Sequence, residues 1–171
     1  PVAIEPENLK GFLCELSDNG WKGLNVTLPH KIAAMKAVDK LDLNAEQVGA
    51  VNTITVQPDG TLRGSNTDGY GFLKNLQQEH SDWPTDRPVI VLGAGGAARA
   101  ILVMLVERGS SEIRLVNRDK SKAERLANEI SDNITVYDWS DRSLVLNDAG
   151  LLVNTTCLGM TEQKPLEIGL K

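Results

Sequence analysis

Aromatic residues make up only 4% of this chain against 41% hydrophobic residues in all, so its core must be aliphatic. Cysteine is scarce. The two present, Cys14 and Cys157, form no C-x-x-C, which excludes a disulfide scaffold and reads as free thiols of a reducing cytoplasm. Histidine is equally sparse, and no His/Cys/Asp cluster has metal-ligand spacing, so no metal is expected. Basic residues are not in excess: the net charge of −5 argues against nucleic acid and anionic membranes as partners. No apolar run approaches the roughly 18 residues of a membrane span, and no secretory apolar core is present. Low-complexity tracts and solenoid-period repeats are missing too. The 171 residues could hold one large domain or two small ones.

What is present centres on Val89-Ile90-Val91-Leu92-Gly93-Ala94-Gly95-Gly96-Ala97-Ala98-Arg99-Ala100. An apolar β-rich run flows into G-x-G-x-x-A and then turns helical, the order of a dinucleotide fingerprint. Gly93 permits the tight turn, Gly95 lets the backbone approach a pyrophosphate, and Ala98 lets the helix lie close on the sheet. The helix start offers free N–H groups and a positive dipole end to the phosphates. The helix carries Ile101, Leu102, Leu105 and Val106 and closes at Gly109. The next strand, Ile113 to Val116, ends in Asn117-Arg118 where NAD enzymes usually place an acid. An Arg there can pair with a 2′-phosphate, and Lys120 and Lys122 add positive charge, so NADP is favoured over NAD. Asp119 argues the other way, and Arg118 and Lys122 read alternatively as solvated charges at a helix start.

Elsewhere, apolar spacing predicts a helix through Leu9, Phe12, Leu13 and Leu16, stopped at Gly20. A strand follows near Gly23 to Val26, then a helix opened by Pro29 with Ile32 and Met35 inward. Asn44 and Gln47 resemble a capping box. Val51 to Val56, Pro58-Asp59-Gly60 and Thr61 to Arg63 read as a hairpin. A helix beginning near Asp68 places Tyr70, Leu73 and Leu76 on one face, and Glu79 to Pro88 reads as a linker. A further βα unit uses Ser121 to Ile130, then Ile134 to Val136 and Leu151 to Val153 as strands. This alternation predicts a parallel sheet with helices on both faces. The fold class is α/β: an N-terminal α/β domain over 1–67, a connecting helix and linker over 68–88, and a Rossmann-type doubly wound parallel-sheet domain over 89–171. Trp21, Trp83 and Trp139 are expected to be packing residues.

Polar residues gather at Asn25-Val26-Thr27-Leu28-Pro29-His30-Lys31, Gly49-Ala50-Val51-Asn52-Thr53 and Asn66-Thr67-Asp68-Gly69. These turns could ligate a polyhydroxylated substrate and move a proton. With Gly93 to Ala97, Asn117-Arg118, and Asn154 to Met160 (N-T-T-x-L-G-M), they make six motifs in a fixed order. In these the chain resembles the shikimate/quinate dehydrogenase family. The resemblance implies NADP-dependent, reversible reduction of 3-dehydroshikimate to shikimate, with Lys31 and Asp68 as the catalytic pair. It implies that the N-terminal domain over 1–67 is the substrate-binding domain, that Thr27 and Asn52 contact the substrate, and that Gly93, Ala94, Gly95, Gly96 and Ala97 hold the pyrophosphate. Asn117, Arg118 and Lys122 would surround the adenosine ribose and its phosphate, and Asn154 and Thr155 would lie near the nicotinamide.

Two alternatives stay open. One is a quinate/shikimate dehydrogenase of mixed NAD/NADP use. The other is a catalytically silent nucleotide-binding module, with Lys31 a solvated lysine and Asp68 a plain helix cap. Both ends, Pro1 without Met and Lys171, look cut. The family's opening strand, its Ser-x-Ser clamp and its closing segment have no counterpart here. The chain alone is therefore expected to bind NADPH weakly and turn over poorly. A small-molecule substrate and a monomer or homodimer are expected.

Overall fold

Leu9, Leu13 and Leu16 are all buried in the computed structural model of the chain, which describes residues 1–27, 29–80, 83 and 86–169. The expected linker thus includes residues 81, 82, 84 and 85, outside the described residues, as is Leu28 of the first motif. The chain divides into two compact units, Pro1–Asp68 and Gly69–Lys171.

The first unit contains α1 (Leu9–Cys14), β1 (Gly23–Asn25), α2 (Lys31–Ala37), β2 (Lys40–Leu41), α3 (Leu43–Val48), β3 (Thr53–Val56) and β4 (Leu62–Ser65). Its sheet runs β1-β3-β4-β2, antiparallel at β1/β3 and β3/β4 and parallel at β2/β4. The β3–β4 hairpin closes through Gly60 at φ +83° and through Asp59, which accepts from the Thr61 hydroxyl at 2.6 Å. That bond holds the Asp59 carboxyl below its ordinary range.

Two local expectations are corrected. Ile32 points outward at 61% exposure, because α2 packs through buried Ala34, two residues on and so on the opposite side of the helix. The cap of α3 is Asp42, whose side chain accepts from the Ala45 N–H at 2.8 Å. Asn44 already lies inside the helix, so the capping-box reading began two residues late.

The second unit holds α4 (Asp68–Glu79, its first residue counted with the first unit), β5 (Val89–Leu92), α5 (Gly96–Glu107), β6 (Ile113–Asn117), α6 (Lys120–Ile130), β7 (Ile134–Asp138) and β8 (Leu151–Asn154). The sheet order is β7-β6-β5-β8, all parallel. The chain moves outward through β5, β6 and β7 and returns to the other side of β5, the strand-order reversal of a doubly wound sheet. Val89, Val91, Ile113 and Leu115 face a cluster with Ala98, Leu102, Leu105, Ala123 and Leu126 of α5 and α6. Ile90, Leu92 and Val116 face the opposite way, as the period of two requires.

That second face differs from expectation. Among the described residues it is covered by 3₁₀ turns at Trp139–Asp141 and Leu144–Leu146 and by Leu166 and Ile168, without an α-helix. Arg114, 13% exposed, secures this cover by donating to the Val145 and Asn147 carbonyls, each at 2.9 Å. The carboxylates of Glu112 and Asp148 also bind it, and the Glu112 bond raises its pKa.

Tyr70 is turned outward at 54% exposure, while Phe72, Leu73 and Leu76 of α4 pack inward. Gly69 lies so close on α5 that a Cβ there would meet the Ala100 carbonyl oxygen at 2.5 Å. Trp83 is buried in the same cluster, with the Arg108 guanidinium 5.9 Å from its ring centre. Trp21 is less enclosed, at 38% exposure, and meets Phe12 edge-on. Asp119 caps α6, accepting from the Lys122 N–H at 3.0 Å. Asp119→Ala is expected to lower stability by about 1 kcal/mol, read as a shifted denaturant midpoint at constant slope.

Candidate active and cofactor sites

Lys31 opens α2, and its own carbonyl accepts from the Val51 N–H at 2.9 Å. That bond ties the helix start to the segment carrying Asn52. Asn52 is held in turn by its backbone, with its N–H on the Ser65 carbonyl at 3.0 Å and its carbonyl taking the Val26 N–H at 2.7 Å. Gly49 makes this approach possible: it ends α3 at φ +69°, a left-handed conformation that favours glycine. Asn66, 4% exposed, donates to the Ala50 carbonyl and accepts from the Asp68 N–H, both at 3.0 Å. Three segments remote in sequence are thereby fixed side by side.

The result is one polar cluster. Lys31 Nζ lies 2.6 Å from Asp68 Oδ2, and Asn52 Nδ2 donates to Asp68 Oδ1 at 2.8 Å. The Asn52 carbonyl oxygen accepts from the Thr53 hydroxyl at 2.8 Å and the Thr67 N–H at 3.1 Å, which fixes the amide so that its NH₂ faces the carboxylate. Both carboxylate oxygens of Asp68 are thus used across the turn, which is not the bonding of a plain helix cap. The Lys31 and Asp68 side chains remain 25% and 33% exposed, so a ligand can reach them. An ammonium beside a carboxylate, each oriented from behind, can hold a hydroxyl or carbonyl oxygen and exchange a proton with it.

Thr27 has no side-chain bond to this cluster. It is exposed and lines a groove of about 290 Å³ with Phe12, Trp21 and His30. The sequence reading missed Asn66 and the role of Thr53 and Thr67 in fixing the Asn52 amide. Their only signal was membership of the G-A-V-N-T and N-T-D-G runs.

In the second unit, the register aligns Leu92 with both Val116 and Asn154. The turns after β5, β6 and β8 therefore emerge at the same carboxyl edge of the sheet. Gly93 sits at φ +104°, and a Cβ on it would meet Thr155 Oγ1 at 2.7 Å. Thr155 is there because its hydroxyl donates to the Leu92 carbonyl at 2.6 Å. Ala94 is buried, whereas Gly95, Gly96 and Ala97 are exposed, and neither glycine has a neighbour within 4 Å of a built Cβ. No side chain caps α5, in contrast to the aspartates capping α3 and α6. An open glycine turn and an uncapped helix start form a cradle suited to a pyrophosphate.

Asn117 donates to the Asp119 carbonyl at 2.8 Å, and Asn154 braces its own turn through Leu158 and Thr156. Lys120 is committed to Asp138 at 3.1 Å, an ion pair that raises its pKa. Arg118 and Lys122 are exposed and have no carboxylate partner among the described residues. No group of three or more metal-ligating side chains gathers among the described residues, and no described helix is long and apolar enough to cross a membrane.

Residues 1–54 match the family model described as shikimate dehydrogenase substrate binding domain, and residues 75–160 match the model described as shikimate / quinate 5-dehydrogenase. The chain belongs to the shikimate/quinate dehydrogenase family. A curated member, "Shikimate dehydrogenase (NADP(+))" of Paramagnetospirillum magneticum, is 49% identical over 171 residues, which is 99% of this chain and 62% of that protein. The chain therefore spans less than two thirds of that relative's length. Among solved members, quinate dehydrogenase from Corynebacterium glutamicum in complex with NAD is 31% identical at a TM-score of 0.85, over 92% of this chain and 57% of its own. Shikimate 5-dehydrogenase from Thermus thermophilus in complex with NADP(H) and shikimate is 37% identical at 0.78, over 92% and 56%.

Proposed function

We propose that this family member catalyses the NADP-dependent, reversible reduction of 3-dehydroshikimate to shikimate. The first unit is read as the substrate domain and the second as the NADP domain. The carrying observation is the Lys31–Asp68–Asn52 cluster, a partly exposed ammonium paired at 2.6 Å with a carboxylate that a fixed amide holds from its other oxygen.

NADPH, when bound, supplies a hydride to the ketone carbon. That transfer leaves negative charge on the carbonyl oxygen. The Lys31 ammonium stabilises the charge and gives up a proton to the oxygen; the partly exposed amine recovers one from solvent. Asp68 keeps the ammonium in place and accepts a hydrogen bond from the substrate hydroxyl, and Asn52 prevents its carboxylate from rotating. In the reverse direction the neutral amine takes the hydroxyl proton as hydride leaves the carbon. Thr27 would contact the substrate from its separate position.

Gly93 to Ala97 would hold the pyrophosphate against the start of α5. Asn117, Arg118 and Lys122 would take the adenosine ribose and its 2′-phosphate, with Asn154 and Thr155 toward the nicotinamide. The Asp119 carboxylate, which argues for NAD, also caps α6 and shares its charge with the positive end of that helix. The exposed free thiols of Cys14 and Cys157 support a cytoplasmic setting.

Adding shikimate and NADP⁺ to the purified protein at high protein concentration should generate NADPH absorbance that requires both, at the low rate expected of this chain alone; a complete absence of shikimate-dependent absorbance sinks the reading. Arg118→Gln should weaken NADP⁺ binding by roughly ten- to a hundredfold, the value of a charge-assisted bond to phosphate, and leave NAD⁺ unchanged.

A further inference from the structure

We infer that Trp139 positions Arg118 and thereby sharpens selection of a cofactor bearing a 2′-phosphate; this rests on the reading of Arg118 above. Asn117 and Asp138 are register partners at the ends of β6 and β7, and the residues that directly follow the two strands are Arg118 and Trp139. The Arg118 guanidinium carbon lies 6.0 Å from the centre of the indole ring. An exposed arginine loses rotamer freedom when it grips a phosphate, and a side chain already resting on an aromatic face has less to lose.

The indole is itself immobilised. It is half-buried and packs, as Tyr137 and Leu166 do, against the buried cluster of Ile90, Leu92, Val116 and Val145. Arg142 lies 5.3 Å from the ring centre and donates to the carbonyls of Trp139 and Glu167 at 3.0 and 2.8 Å. Arg142 is thus occupied in holding the platform, and Arg118 is the guanidinium left free to meet a ligand. The neighbouring acids are already engaged, Asp119 on α6 and Asp138 on Lys120, so neither draws Arg118 away. The packing role expected of Trp139 accounts for its place against that cluster but not for the cation over its face.

The test compares NADPH and NADH dissociation constants by nucleotide fluorescence for the wild type, Trp139→Leu, Trp139→Phe, Arg118→Gln and the Leu/Gln double variant. Trp139→Leu should weaken NADPH by roughly two- to fivefold with NADH unchanged, and Trp139→Phe should fall between it and the wild type. On the Arg118→Gln background, Trp139→Leu should add nothing. Equal weakening of both nucleotides, no weakening, or full additivity overturns the role of Trp139 while leaving that of Arg118 standing. Unchanged NADPH binding in Arg118→Gln overturns the reading of Arg118 and this inference with it. A readout free of variants exists: in the wild type, Arg118 side-chain protons should carry upfield ring-current shifts, and unshifted resonances also overturn the inference.

Discussion

Lys31→Ala is expected to lower kcat by about 10²–10⁴-fold, the usual contribution of a positioned proton donor. NADPH affinity should be unchanged, because the cofactor residues belong to the second unit and Lys31 to the first. The fold should persist. The bond from the Val51 N–H ends on the Lys31 backbone carbonyl, which alanine retains, and the lost ammonium is a quarter exposed rather than sealed in the core. What remains is Asp68 with one oxygen on Asn52 and the other turned to water. A merely solvated lysine predicts something else: its removal would leave kcat within a small factor of the wild type. Stopped-flow measurement of the hydride step, beside a titration of NADPH binding, separates the two. A drop in kcat with cofactor binding intact identifies an interaction made at the transition state, whereas a drop in both would place Lys31 in the architecture. Asp68→Asn provides the companion result. It keeps the shape and the Asn66 contact to the backbone N–H but removes the charge facing Lys31, and the same loss should appear.

The long periodic elements were legible in the sequence, since α5, α6 and the strands of the parallel sheet have apolar residues at unambiguous spacing. The short ones were not. The α2 helix is seven residues long and packs through Ala34 and Met35, so a pattern that weighs large apolar residues was right about Met35 but added Ile32, which points outward. A capping box placed at Asn44 passes over Asp42 altogether; both residue types cap well, and only the backbone conformation at 42 shows which one does. In N-T-D-G the acid stood out, yet Asn66 and Gly69 constrain the motif as firmly. Asn66 bonds an amide oxygen sixteen residues away and Gly69 admits the backbone of α5 at 2.5 Å, long-range contacts that no local pattern encodes. Asp119 shows a further limit. Its charge could be read as a field acting on a ligand, but its cap on the helix that follows it is visible only in the folded chain. Residue types at the site could thus be named from motifs, but which groups are engaged within the protein and which are left for a ligand is a property of the folded chain.

Gly93→Ala and Gly95→Ala should fail in opposite ways, although both delete a glycine of one fingerprint. At Gly93 the backbone is left-handed at φ +104°, and the new methyl would stand 2.7 Å from Thr155 Oγ1 and 3.0 Å from Thr156 Cγ2. Thr155 cannot retreat without surrendering its bond to the Leu92 carbonyl, which helps join the ends of β5 and β8. Backbone strain and overpacking together should remove about 2–5 kcal/mol of stability, seen as a large fall in the unfolding midpoint of the protein without cofactor. Gly95 has an extended backbone at φ −96° and nothing within 4 Å of a built Cβ, so alanine there should leave the cofactor-free midpoint unchanged or slightly raised. Its methyl would instead project into the open space at the start of α5, where the pyrophosphate must approach the backbone. NADPH binding should then weaken by roughly tenfold or more, the equivalent of a modest overpacking penalty. The pair therefore divides folding from ligand contact within three residues. If Gly95→Ala binds NADPH as tightly as the wild type, the glycine turn is a fold element only, and the phosphates must be held elsewhere.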